Sequence, residues 1–227
     1  MSEPWSERMR QALDEEPSPR RAEARRLGDA VRALIERASF LDAPAEELGR
    51  AADAVEGLVE ALSGYPRTRQ YEGFAESANA GTPDGFFDHS PIMGAANPLA
   101  PPVRLESAGD KVVGTVRFGA AYEGPPGCAH GGYIAAVFDE VLGMAQSMGG
   151  NPGMTGTLTV RYRRPTPLHR TLRLEGELVR VEGRKIFTAG RCLLDGEVTA
   201  EAEGIFISVD FSRLAALYAA RQEGAGG

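Results

Sequence analysis

The chain has 227 residues, 42% of them hydrophobic and 25% charged, and a net charge of −7. This suits a globular protein with one good core and an appendage. No basic domain offsets the acidic balance, which argues against nucleic acid as a partner.

Cys128 and Cys192, the two cysteines, are too few for a disulfide scaffold and fit a reducing compartment. The first residues carry acids and no apolar core of a signal peptide, and no apolar run approaches a membrane span. The expectation is a soluble, cytoplasmic protein with neither a membrane nor a nucleic acid as partner. Residues 1–18 are polar, acidic and prolyl. Ser18-Pro19 then supplies an N-cap and a first-turn proline, and Leu27, Val31, Leu34, Ile35 and Ala38 follow at helical spacing. A second start at Asp42 and Pro44 precedes a cleaner stripe: Leu48, Ala51, Ala52, Val55, Leu58, Val59 and Leu62. Gly64 and Pro66 end it. The pattern predicts a helical hairpin over about 19–64, within an N-terminal extension of residues 1–70. Two helices make little core alone, so they should dock on the remainder or on a partner. Residues 71–102 are rich in Gly, Pro and Asn and read as an irregular connection, with Phe86-Phe87 packing down.

Strand signals follow. Val103–Glu106 and Val112–Phe118 should pair around Gly109-Asp110. Residues 131–149 lack proline and carry apolar residues on most faces, which predicts a helix covered on all sides. Downstream, Leu158, Val160 and Tyr162 alternate with polar residues as a half-buried strand. Leu172–Val181 is a further strand whose phase slips near Leu178-Val179, the sign of a bulge. Lys185–Leu194, the hairpin signal Asp195-Gly196 and a strand from Val198 to Val209 complete a domain over 103–210. Residues 211–227 read as a short helix, Ser212–Arg221, and a tail. Strand, strand, long helix and four antiparallel strands make an α+β protein, one sheet curved around one apolar helix.

One stripe breaks the apolar helix: Gly132, Ala136, Asp139, Gly143 and Gln146. It sets a carboxylate among small residues, either a catalytic acid or a capped or salt-bridged acid in a tight helix contact. Cys128 beside His130 has no third group to orient it as a nucleophilic pair. His89, His130 and His169 show no metal-ligand spacing.

The run Tyr122-Glu-Gly-Pro-Pro-Gly-Cys-Ala-His-Gly-Gly132, with an aspartate seven residues later, resembles the hotdog-fold acyl-CoA thioesterases of the PaaI-like branch. Met154-Thr155, Tyr162-Arg-Arg-Pro165, Val181-Glu-Gly-Arg-Lys185 and Asn97-Pro-Leu-Ala-Pro-Pro102 carry the likeness over about 90–209. The resemblance implies a hotdog fold and hydrolysis of acyl-CoA, with coenzyme A entering as part of the substrate and no other cofactor or metal. It implies that Asp139 is general base or nucleophile, that Thr155 holds the water or supports Asp139, and that Gly131 gives its N–H to the thioester oxygen. His130 would orient the loop or bond the substrate, and Arg184 and Lys185 would meet phosphates of coenzyme A. Tyr133 is bulkier than the small residue expected there, and Glu140 adds a second acid. The N-terminal helices lie outside the shared pattern. A non-catalytic acyl-CoA-binding hotdog protein is the alternative; a hotdog dehydratase would need an acid–histidine spacing that is absent.

Physical chemistry reaches the same site. The first N–H groups of a helix are unpaired and carry its positive end, and Gly131 and Gly132 let an acyl group approach that backbone; tight loop-to-helix packing would explain the same glycines. Asp139 lies about 12 Å farther along the helix, too far to act on a carbonyl held at Gly131, because reacting atoms must be about 3–3.5 Å apart. The two groups serving one substrate should therefore come from different chains. This predicts a homodimer with composite sites, which further pairing would extend to a dimer of dimers. Thr155 is out of phase with Leu158 and by itself reads as a surface threonine, unless Gly153 and Gly156 permit a bulge. Arg163 and Arg164 are either a solvated strand face or, with Arg184 and Lys185, a phosphate contact.

Overall fold

The computed structural model describes residues 16–66, 87–109, 111–148 and 153–209. The helix expected over 212–221 lies outside them, as do residues 1–15, Phe86 and Asp110. Two helices come first, α1 (Pro19–Ala38) and α2 (Ala45–Ser63). Then follow β1 (Arg104–Ala108), β2 (Lys111–Val116), α3 (Gly131–Met148), β3 (Gly153–Tyr162), β4 (Leu172–Glu182), β5 (Lys185–Leu194) and β6 (Glu197–Ser208). The strands form one sheet in the order β1-β2-β4-β5-β6-β3, antiparallel at every pairing. The sheet wraps α3, as expected, and the architecture is a hotdog fold.

The core lies between α3 and the concave face of the sheet. Phe138, Val141, Leu142 and Ala145 meet Val112, Leu172, Leu174, Ile186, Ala202 and Phe206, all buried. Each large side chain buried this way contributes about 1.5–3 kcal/mol. Three strands carry a glycine under the helix. A Cβ at Gly176 would stand 2.7 Å from Val141 Cγ1, and one at Gly190 3.0 Å from Leu142 Cδ2. At Gly204 it would stand 2.8 Å from Phe206. Bare backbone at these positions lets the helix sit close to the sheet.

Asp195 (φ 50°) and Gly196 (φ 87°) turn β5 into β6, the left-handed pair that a two-residue hairpin needs. The register of β4 against β5 shifts between Leu178 and Arg180, which is the bulge its slipped phase predicts. The first hairpin differs slightly: β2 ends at Val116, and Phe118 lies beyond it, still buried.

The N-terminal helices depart from expectation in what they bury. Ser18 caps α1 through a bond from Arg21 N, and Pro19 opens it. Of the expected apolar face, Val31 and Ile35 are half-buried, but Leu27 and Leu34 stay exposed, and α1 docks largely through a polar stripe beside it. Arg21 Nε and Arg25 Nε donate to the two oxygens of buried Asp88 at 2.6 and 2.7 Å. Arg32 donates to the carbonyls of Ala100 and Asn97, both at 2.9 Å, and Glu36 accepts from Ala120 N at 2.7 Å. Between them Gly28 is buried against the Ala96 carbonyl, 2.8 Å from where its Cβ would be. Arginine stems cover apolar surface while their heads bond, so a polar stripe docks where the leucines do not. Along α2 every residue is exposed.

Candidate active site

The loop before α3 is pinned at several points. His130 N donates to Tyr122 O and Ala129 N to Thr166 O, each at 2.8 Å. At the helix start, His130 Nδ1 accepts from Gly132 N at 3.0 Å. His130 O accepts from Tyr133 N at 3.0 Å and from Ile134 N at 3.3 Å. Of the first four helical N–H groups, only that of Gly131 has no protein partner among the described residues. His130 therefore acts as a side-chain cap, and its ring leaves one donor free at the positive end of the helix.

The glycines have an explanation within the chain. Tyr162 OH donates to Gly131 O at 2.7 Å, and a Cβ on Gly131 would lie 3.2 Å from the tip of that ring. A Cβ on Gly132 would lie 3.0 Å from His130 Nδ1. The side-chain space at both is taken by neighbours of the same chain; what remains open is the Gly131 N–H itself. Tyr162, read from sequence as a strand residue within the Tyr162-Arg-Arg-Pro165 likeness and given no role, thus belongs to the site. The signals for it were that likeness and its phase with Leu158 and Val160, which aims it at the helix.

Asp139 lies two turns farther on and is half-buried. Thr155 Oγ1 donates to its Oδ1 at 2.8 Å. The register of β3 explains how. Thr155 pairs with Phe206 and Thr157 with Ile205, so Gly156 is an extra residue. That bulge turns Thr155 to the same side as Leu158, against the simple alternation. No cation pairs with Asp139 among the described residues.

Glu140 faces another environment. Ser90 Oγ donates to its Oε1 at 2.8 Å. Burial pushes its carboxyl up to about 7, the Ser90 bond opposing and the Asp139 charge adding. Ser90 lies two residues from Asp88, the anchor of α1, so Glu140 packs toward the N-terminal side of the molecule.

The structure does not bring the four expected phosphate contacts together within one chain. Arg184 and Lys185 lie in and just after the turn between β4 and β5, and neither has a carboxylate partner among the described residues. Lys185 pairs with Ile207 and Ile207 with Met154, which sets this turn at the Thr155 end of the sheet. Arg163 and Arg164 follow β3 at its other end, ion-paired with Glu201 and Glu197 respectively. Cys128 is half-buried, and no hydrogen bond joins it to His130 among the described residues. No group of three or more His, Cys, Asp or Glu placed to hold a metal occurs among the described residues, and no helix there is long and apolar enough to cross a membrane.

Comparison with known proteins places these features in a family context. Residues 126–200 match the thioesterase superfamily. Acyl-coenzyme A thioesterase THEM4 of Xenopus laevis is 36% identical over 95 residues, 40% of this chain and 42% of that protein. Its counterpart in Bos taurus is 36% identical over 94 residues, 40% of this chain and 38% of that one. The chain thus spans about two fifths of the length of the curated relatives it matches. A crystal structure of a thioesterase superfamily protein is similar over a larger part. It is 38% identical with a TM-score of 0.73, covering 81% of this chain and 94% of that one.

Proposed function

The chain belongs to the thioesterase superfamily, and from that membership we propose that it hydrolyses acyl-CoA thioesters to free acid and coenzyme A. The observation that carries the proposal is the Thr155–Asp139 hydrogen bond. It fixes one oxygen of a carboxylate that no described cation neutralises and leaves the other oxygen for chemistry. As general base, Asp139 takes a proton from water; the resulting hydroxide attacks the thioester carbon, the C–S bond breaks, and the proton passes to the departing thiolate. As nucleophile, its own oxygen attacks the thioester carbon and the C–S bond breaks to release the thiolate; water then cleaves the resulting anhydride, restoring the carboxylate and supplying the thiolate's proton. Either way the carbonyl oxygen gains negative charge, and the Gly131 N–H is the donor we assign to it. The reaction consumes thioester and water and calls on no further cofactor.

The donor and the carboxylate come from different copies. Tyr162 ties Gly131 to the C-terminal end of β3, and Thr155 ties Asp139 to the other end, roughly 20 Å along the strand. β3 is an edge strand, ten residues long and free of proline, with little to blunt it against pairing. Antiparallel pairing of β3 with the same strand of a second copy exchanges ends across a two-fold axis. One copy's Gly131 then lies beside the other's Thr155 and Asp139. The same exchange carries Arg163 and Arg164 toward the other copy's Arg184 and Lys185, the cations we assign to the phosphates of coenzyme A.

Thiol release from a panel of acyl-CoAs tests the reaction. Asp139→Asn should lower kcat by roughly 10²–10⁴-fold while leaving acyl-CoA binding and thermal midpoint intact. Binding without thiol release by the unaltered protein would instead make it an acyl-CoA-binding protein. Gly131→Pro removes the one free N–H at the first helical position, the tip of the Tyr162 ring giving a few tenths of an ångström to admit it. Mixed dimers of the two variants should regain one working site per dimer; no recovery overturns the composite site.

A further inference from the structure

From Ile134 to Ser147, α3 is buried at every position except Ala135, Ala136, Asp139, Glu140 and Gly143. These five make one window on an otherwise covered helix, and whatever meets Asp139 enters through it. Consecutive residues stand about 100° apart around a helix, so Asp139 and Glu140 form opposite walls of the window. Side chains lean toward the helix start, which brings both carboxyls over Ala136, whose methyl group keeps the floor low. A helix about 10–12 Å across sets two such carboxyls roughly 8–9 Å apart. Each is held at one oxygen by a hydroxyl from a different side. Thr155 of β3 donates to Asp139 Oδ1 and Ser90 to Glu140 Oε1, both at 2.8 Å. The second oxygen of each has no partner among the described residues.

Hydrolysis as proposed uses one wall of the window and leaves the other without a task. A thioester carbon attacked from Asp139 stands about 3–3.5 Å from the attacking oxygen. The coenzyme leaves toward the Thr155 end, where Arg184 and Lys185 lie. The acyl chain is then left on the Ala136 side and crosses toward Glu140. Across a gap of this width, an oxygen attached to the third acyl carbon comes within hydrogen-bond reach of Glu140. Burial holds the Glu140 carboxyl up at about 7, so below that pH it is neutral. A neutral acid faces an acyl chain at a lower desolvation cost than a carboxylate does. A plain alkyl chain covers Oε2 without pairing it, which is costly for a polar atom taken out of water.

We propose that Glu140 selects the acyl group, its Oε2 accepting a hydrogen bond from a hydroxyl on the third carbon, so that 3-hydroxyacyl-CoA is the preferred class of substrate. This selection rests on the hydrolytic role proposed for Asp139 and adds the acyl group to it. Ser90 is the positioning residue, since it fixes the other oxygen of Glu140 from the segment before β1.

The test compares thiol release by the full chain from 3-hydroxyoctanoyl-CoA and from octanoyl-CoA. The ratio of kcat/KM should favour the hydroxylated substrate roughly tenfold, and Glu140→Leu should bring it to about one. Glu140→Gln keeps a partner for Ser90 and a polar atom over the window, and should retain most of the preference. Should Glu140→Leu fail to fold, Ser90→Ala frees the carboxyl from its anchor and should lower the ratio roughly threefold. Equal kcat/KM for the two substrates in the unaltered protein overturns the selection while leaving the hydrolysis standing. So does a preference that Glu140→Leu, or Ser90→Ala in its place, leaves unchanged. Release from neither substrate overturns the hydrolysis instead, and calorimetry then decides the selection. A Kd lower by roughly tenfold for the hydroxylated compound supports it; equal values overturn it.

Discussion

Helices α2 and α3 are almost equal in length, 19 and 18 residues, and both are dominated by apolar side chains. One is enclosed by a sheet and the other lies bare among the described residues. The difference is set by the neighbours along the chain. Around α3 stand strands whose alternating apolar faces have nothing else to cover, and three glycines that let the helix settle between them. Among the described residues α2 is flanked by a short turn and by Gly64–Pro66, with no complementary face. Apolar spacing thus specifies that a helix needs a cover; whether its own chain supplies one depends on what other apolar faces are left over.

The sharpest way to probe that contrast is to cut the same side chain in each helix. Leu142→Ala in α3 should lower the unfolding free energy by roughly 3–5 kcal/mol, read as a fall in the urea midpoint. A loss below about 1 kcal/mol would mean that α3 is not the core.

A second effect concerns the acid that α3 presents to the Ser90 loop. The carboxyl of Glu140 stands raised to about 7 from 4.5, so the folded chain holds a proton that the unfolded chain has released. Its stabilising contribution is complete below about pH 4.5 and fades as pH rises through 7. Between pH 5 and 8 the protein should lose up to about 3 kcal/mol relative to Glu140→Gln. Parallel stability–pH curves for the two proteins would remove this explanation.

Next in size is the clamp on α1. Asp88→Ala takes the shared acceptor from Arg21 and Arg25 and should cost about 1–3 kcal/mol. Hydrogen exchange should show protection falling along α1 while α3 is unaffected. Smallest of all, Leu58→Ala in α2 should leave the unfolding midpoint within about 0.5 kcal/mol at dilutions where copies are apart. The ratio of that value to the Leu142 result measures the contrast directly.

Much of this was legible in the sequence. The strands, the hairpin turn at Asp195-Gly196 and the β4 bulge follow from periods of two and from turn chemistry. The covered helix follows from its lack of a polar face. Other features were not legible, for identifiable reasons. The docked face of α1 is built from Arg21, Arg25 and Arg32, which hydropathy counts as solvent-facing although their stems pack and their heads find Asp88 and two carbonyls. The roles of His130 and Tyr162 in closing off the start of α3 depend on the path of a loop, which no periodicity encodes. The split of the arginines between opposite ends of the sheet required the register of β3 against β6. Glu140 stood out only as a second acid, since its partner Ser90 is fifty residues away.

The extra residue at Gly156 makes the strand sensitive to parity. Thr155 and Leu158 are an odd number of steps apart, and the bulge absorbs the odd one. Deleting Gly156 would leave Thr155 facing Asp139 on a plain strand with less local twist. Inserting one residue beside it, with no second bulge to absorb it, would turn the hydroxyl to the opposite face and leave the carboxylate without its donor. Across related chains, gaps in this stretch should therefore come in sizes that keep the threonine inside, whatever happens to the residues themselves.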